Sequence, residues 1–223
     1  MLNIDEFNLQ RILNVDETPI YMDMTYNKTI EKKGAKNIEI ITTGGEKIRI
    51  SAILSISGDG KKLPPVLIFK AKPGGKLAKK LNAIEIVKQK KIFVYCQANA
   101  WCDYRIFKDW LKYIFIPYQN CNVKKTCLLI LDKAPSHCGE EILNYMNEQK
   151  IKRIFIPGGL TRKLQPLDIG INKQFKESLR KKFNLYQQTH NGGILTFKNT
   201  KIDREMIAHW VNEIWYSDTD IKK

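Results

Sequence analysis

A chain of 223 residues with 43% hydrophobic and 27% charged residues can build one good-sized core, which excludes a disordered or collagen-like description. No apolar run approaches the roughly 18 residues of a membrane span, and the start, MLNIDEFNLQ, is acidic where a signal peptide is basic and then apolar, so the expectation is an intracellular protein without a membrane segment. The 38 Lys and Arg against 23 Asp and Glu leave a net charge of +15, which fits either a polyanionic partner held in a salt-sensitive way or an inert basic surface.

In chain order, residues 11–21 (RILNVDETPIY) are β-prone, with Pro19 marking an end or an edge. EKKGAK and TTGGEK mark turns. Residues 48–57 (IRISAILSIS) and 63–70 (LPPVLIFK) are β-rich runs joined by GDGKK, whose Asp59-Gly60 pair signals a hairpin. Residues 70–80 (KAKPGGKLAKK) read as a basic loop that either tracks a phosphate backbone through Lys72, Lys76, Lys79 and Lys80 or is simply solvated.

From Asp103, a suitable N-cap, the period changes: Phe107, Trp110, Leu111 and Ile114 fall at helical spacing. CLLILD at 127–132 is a continuous apolar run of the kind buried on both faces of a sheet. Residues 139–149 give a helix with Ile142, Leu143 and Met146 on one side, and IKRIFIP at 151–157 a short strand closed by PGG. Residues 166–185 are the longest helical pattern, with Pro166 in the first turn and Ile171, Phe175, Leu179 and Lys182 or Phe183 tracking one face; Asp168 falls on that face. After THNGG, Ile207, Trp210, Val211 and Ile214 mark a last amphipathic helix. Trp110 and Trp210 are expected in the core, and Trp101, beside the polar stretch QANA, is the tryptophan to examine for base stacking.

Five cysteines, Cys96, Cys102, Cys121, Cys127 and Cys138, form an odd set without a C-x-x-C pair and read as free thiols in or near the core. The carboxylates carry more. Asp132 ends a buried strand, where an aspartate is either a turn-former or a ligand. Asp168 either favours a helix N-terminus through its dipole or belongs to a site. Asp16, inside a strand, needs a counter-charge or a metal if helices cover its face. Glu17 should point to the other side of the sheet and be a bystander or a residue that supports the site from outside.

Three blocks, NVDETPIY at 14–21, LLILDKAPSH at 128–137 and IPGGLTRKLQPLDIGINKQFK at 156–176, resemble the motifs of DDE-superfamily endonucleases. The likeness is to the pogo and Tigger branch of the Tc1/mariner transposases, to which centromere protein B and jerky-like proteins are related. It runs over nearly the whole chain and is most specific in the third block, through Gly159, Leu160, Thr161, Gln165, Pro166, Leu167, Asp168 and Lys176.

The resemblance implies a ribonuclease-H-like α/β fold, a mixed five-stranded sheet flanked by helices, over residues 1–188, with residues 189–223 a linker and a helix packing on or extending the same domain. It implies that Asp16, Asp132 and Asp168 are catalytic and hold two Mg²⁺ or Mn²⁺ ions, with His137 and Gln165 supporting them from behind. Lys133, Arg162, Lys163 and Lys173 join the four loop lysines as candidates for contacting DNA. Lys133 is a departure, standing where relatives more often carry asparagine, glycine or serine. DNA is the expected partner, a homodimer the expected assembly and the nucleus the expected location, with no small-molecule cofactor. Full-length relatives carry a helix-turn-helix region ahead of this domain, whereas this chain starts 15 residues before Asp16. The leading expectation is a nuclease and strand-transfer domain. The alternatives are a domesticated domain that binds DNA or protein without cutting, and a nuclease acting on RNA.

Overall fold

Runs of β-branched and alternating residues form six strands, β1 (Ile12–Tyr21), β2 (Arg49–Ser57), β3 (Val66–Lys70), β4 (Phe93–Gln97), β5 (Leu128–Asp132) and β6 (Lys152–Ile156). They make one mixed sheet in the order β4-β3-β2-β1-β5-β6. The computed structural model describes residues 7–22, 24, 33, 48–120, 126–190 and 202–217. TTGGEK, all of EKKGAK but Lys33, the NGG of the THNGG connection and Cys121 lie outside them.

β1 to β3 form the antiparallel meander, and the chain turns between β2 and β3 through Gly60 at φ +88°, a conformation suited to glycine. β5 lies parallel to β1 on its other side, and β6 parallel to β5. The sixth strand corrects the expected five. β4 runs parallel to β3 at the sheet edge, where only Val94 and Cys96 are buried, so its apolar signal is short and sits directly behind the lysine-rich KQKK.

The expected basic loop at 70–80 is corrected too. From Lys76 it becomes helix α1 (Lys76–Asn82), which buries Ala78 and Leu81, and α2 (Glu85–Lys88) follows in the crossover to β4. A parallel pair cannot be joined by a tight turn, so this segment has to cross the sheet.

Helices cover both faces. On one side α3 (Tyr104–Trp110), capped by the Asp103 carboxylate, continues through a π turn at Leu111–Phe115 into α4 (Ile116–Tyr118), and α5 (Pro135–Cys138) and α6 (Glu140–Glu148) pack beside it. Their core holds Leu13, Val15, Ile53, Phe107, Trp110, Leu129 and Leu131. On the other side, beyond α7 (Thr161–Leu164), a π turn at Leu167–Ile171 opens α8 (Asn172–His190), and α9 (Arg204–Ser217) packs against it. Leu167, Phe175, Leu179 and Phe183 of this stretch are buried with Trp210 and Trp215 of α9. Each such side chain contributes about 1.5–3 kcal/mol on burial. Asp168 lies outside this stripe: in the wide opening turn Leu167 takes the inward position and Asp168 is exposed.

The pleat of β1 decides what each face receives. Leu13 and Val15 join the α3–α6 core, so the even-numbered Asn14, Asp16 and Thr18, all buried, face the α8 side. No helix among the described residues is long and apolar enough to cross a membrane.

Candidate functional site

A polar staple ties the opening turn of α8 to the centre of the sheet. Fully buried Gln165 donates from Nε2 to the Val15 carbonyl at 2.9 Å and accepts from Asn14 Nδ2 at 3.0 Å. Asn14 also donates to the Ile130 carbonyl of β5 at 3.1 Å and accepts from the Leu167 amide at 3.1 Å. Asn14 and Gln165 thus hold β1, β5 and the π turn in one register, one residue from Asp168 and two from Asp16.

Within that frame two carboxylates meet on one amide. Asn172 Nδ2 donates to Asp16 Oδ2 at 2.7 Å and to Asp168 Oδ1 at 3.0 Å. Burial, the Asp168 charge and then the Glu17 charge push Asp16 up to about 7, against the hydrogen bonds from Asn172 and Gln165. The half-buried ammonium of Lys176 lies near the same carboxylates, its pKa lowered by burial despite Asp168 and Asp16 and lowered further by Arg180 and Arg49.

Asp132 belongs to a different network. Its Oδ1 accepts from the Ala134 amide at 3.1 Å, which starts the turn into α5, and lies 2.8 Å from Nδ1 of fully buried His137. The other ring nitrogen, Nε2, lies 3.0 Å from Glu17 Oε1, and the ring stands against Phe107 with centroids 4.2 Å apart. Burial opposes protonation of His137, but its hydrogen bonds to Asp132 and Glu17 raise it to about 10. The hydrogen bond from His137 in turn holds Asp132 below the usual carboxylate range.

The structure therefore divides the three aspartates. Asp16 and Asp168 are joined through Asn172. Asp132 should stand level with Asp16, because β1 and β5 pair at an offset of 130 − 14 = 116 and 16 + 116 = 132. Its side chain is instead engaged by His137. Among the described residues, the three side chains whose ligand atoms all lie within 4.8 Å of one another are Glu17, Asp132 and His137. Glu17, expected to be a bystander or an outside support, does point to the other face, and there it pairs with the buried histidine. Asn14, Asn172 and the Glu17–His137 contact were missed by sequence reasoning. The only local hint of Asn172 is its spacing of four from Asp168, one helical turn.

The donor chemistry of the Asp16 side fits a hard divalent cation. Two carboxylates converge there, and the buried amide oxygen Asn172 Oδ1 has no hydrogen-bond partner among the described residues. All these donors are oxygen, as Mg²⁺ and Mn²⁺ prefer. The His137 side offers nitrogen and oxygen, and there the buried histidine already bridges the two carboxylates.

The basic candidates are spread out. Lys72, Lys76, Lys79 and Lys80 are exposed on and before α1, towards β4, with β2 and β3 between that edge and β1. Lys80 is engaged by Asp203 at 2.6 Å and Glu205 at 3.3 Å. Lys133 is exposed beside Asp132, Arg162 and Lys163 are exposed on α7, and Lys173 is exposed beside Asn172. Trp101 is 58% exposed, with the Arg49 guanidinium 4.6 Å above its ring, whereas Trp110 and Trp210 are buried.

A six-stranded mixed sheet covered by helices on both faces, with acidic residues gathered where β1, β5 and the opening of α8 meet, defines a ribonuclease-H-like domain. Residues 47–217 match the DDE superfamily endonuclease family, and the chain belongs to it. It is 27% identical over 215 residues to the human "Pogo transposable element with KRAB domain", covering 95% of this chain and 34% of that protein. It is 28% identical over 137 residues to the mouse "Jerky protein", covering 58% of this chain and 23% of that one. The chain thus spans about a third of the first of these relatives. Among solved structures it superposes on the "Mos1 transposase paired-end complex with left transposon end" with a TM-score of 0.52 at 12% identity, over 93% of this chain and 54% of that one. For the "Mos1 mariner paired end complex with Mn" the TM-score is 0.51 at 12% identity, over 93% and 53%. At these identities the likeness establishes the fold.

Proposed function

We propose that the chain is the catalytic domain of a transposase, an endonuclease and strand-transfer domain that acts on DNA with two Mg²⁺ or Mn²⁺ ions held by Asp16, Asp132 and Asp168. The observation that carries this reading is the meeting of Asp16 and Asp168 on one amide at the mouth of α8, where two carboxylates from distant segments share the hydrogen bonds of Asn172. When bound, the ions supply activation of the nucleophile and charge compensation at the reacting phosphate.

The chain's own residues do the rest. Asn14 and Gln165 keep β1 and the π turn in register, so that Asp16 and Asp168 present their oxygens together. His137 keeps Asp132 ionised and oriented until it turns towards Asp16. Lys176, with Arg180 and Arg49 near it, puts positive charge beside the carboxylates, where a DNA phosphate has to come. Trp101, backed by Arg49, is the exposed aromatic available for stacking on a base. The DNA substrate is supported by the transposon end held in the Mos1 complex. Dimeric assembly and nuclear residence are part of the same proposal.

The test is cleavage of labelled DNA and RNA strands with Mn²⁺ and with EDTA, comparing the wild type with Asp132→Asn. Cleavage of DNA that needs metal and disappears in the variant supports the reading, and preferential cleavage of RNA would replace the substrate. A second reading, a domesticated domain that binds without cutting, is favoured by the engagement of Asp132 with His137. It predicts salt-sensitive DNA binding with no cleavage under any divalent ion.

A further inference from the structure

The amide of Asn172 lies between the two carboxylates that would share a cation. Its Nδ2 is within hydrogen-bond reach of one oxygen of Asp16 and one of Asp168, at 2.7 and 3.0 Å. The residue is 3% exposed, and its Oδ1 is buried without a hydrogen-bond partner among the described residues. A buried acceptor left unpaired is costly, and polar groups of this kind are usually satisfied. Here the neighbours impose the cost. With the amide turned the other way, Oδ1 would face two carboxylate oxygens, so the carboxylates hold Nδ2 inward.

We propose that Asn172 is a two-state residue of the site, its NH₂ standing in for the cation between Asp16 and Asp168 and its Oδ1 turning inward as a neutral oxygen ligand once the cation is there. This rests on the reading of Asp16 and Asp168 as ion-holding residues. The two ends of a primary amide are nearly the same size, so a half-turn about the last side-chain bond exchanges donor for acceptor without moving α8. The exchange, made with the side chain drawn back to leave room for the ion, adds an oxygen to the donor set, which suits an ion that takes six oxygen ligands. The buried acceptor without a hydrogen-bond partner among the described residues and the two short contacts of Nδ2 have one common explanation.

The test is calorimetric titration of Mn²⁺ into the metal-free protein as wild type, Asn172→Ala and Asn172→Asp, with no DNA present and with melts in EDTA to verify folding. If Asn172 ligates the ion, Asn172→Ala binds Mn²⁺ about tenfold more weakly, within the range seen when residues supporting a metal site are removed, and Asn172→Asp binds at least as tightly as the wild type. If Asn172 only holds the carboxylates apart, its removal frees them and Asn172→Ala binds as tightly or tighter, which overturns the inference while leaving the aspartates in place. Absence of Mn²⁺ binding by the wild type overturns the inference together with the reading beneath it. Should Asn172→Ala not fold, the side-chain ¹H–¹⁵N signal of Asn172, identified by its loss in Asn172→Asp, decides. It must shift on saturation with Mg²⁺, and an unmoved signal overturns the proposal.

Discussion

Adjacent residues of β1 meet opposite electrostatic fates. Asp16 faces the α8 side, where its neighbours are a second carboxylate and a neutral amide, and its pKa climbs to about 7 through burial and then the Asp168 charge. Glu17 faces the α3–α6 side, where fully buried His137 lies between it and Asp132, and the histidine is raised to about 10. One face has two carboxylates joined by a neutral amide, with the half-buried Lys176 ammonium nearby. The other already carries a cation between its carboxylates, in the imidazolium. An unpaired buried charge has to find a counterion or a proton, whereas a bridged pair is complete. The strand thus places the proposed ion site back to back with a histidine-bridged pair of carboxylates.

The largest effect that would break this comparison is on chemistry. Asp16→Asn and Asp132→Asn should each bring metal-dependent strand cleavage down to background, while Glu17→Gln, on the compensated face, retains a measurable rate. A gel assay with Mn²⁺ reads this directly. Equal loss in Glu17→Gln would mean that both faces take part.

Next in size is stability. His137→Ala leaves Glu17 and Asp132 facing each other without their cation and should cost about 3–5 kcal/mol, a fall in Tm on the order of 10 °C for a chain of this length. A fall of only a degree or two would show that the bridge is not a buried ion pair.

Asp16→Asn should act in the other direction in EDTA. A folded-state pKa raised from 3.8 to about 7 means that the native chain binds more protons than the unfolded one between those values. The stabilising contribution is complete below about 3.8 and is lost as pH rises through about 7. The variant should therefore gain on the wild type as pH goes from 4 to 8, by a few degrees in Tm, and the gain should level off above pH 8. Melts across that range check the sign, and a difference from wild type that does not move in the variant's favour between pH 4 and 8 contradicts it.

The smallest effect is expected at the surface control. Lys80, Asp203 and Glu205 form an exposed ion pair network between α1 and α9. Exposed pairs are screened and contribute little, so Lys80→Ala should leave Tm within about a degree of wild type at 0.15 M salt.

Much of this frame was legible locally. The hairpin at Asp59-Gly60, the Asp103 cap and the helical stripe through Phe107 and Trp110 are set by neighbours within a few residues, and the structure has all three. β4 escaped because an edge strand needs only two buried side chains, and α1 because Ala78 and Leu81 are a thin signal among lysines. Asn172 and the Glu17–His137 contact escaped for a different reason. Asn172 reaches Asp16 across 156 positions and His137 reaches Glu17 across 120, so no periodicity relates them. Pleat reasoning did separate Asp16 from Glu17, but it could not say that a buried histidine waits on the far side.

The central claim is that the cation belongs on the Asp16 face. A crystal structure of the protein with Mn²⁺, located by anomalous scattering, tests it most directly. The account predicts manganese between Asp16 and Asp168, with Asp132 turned away from His137 towards the ion and His137 still paired with Glu17. Manganese ligated by His137 and Glu17, with the Asp16–Asn172–Asp168 contacts unchanged, would contradict it.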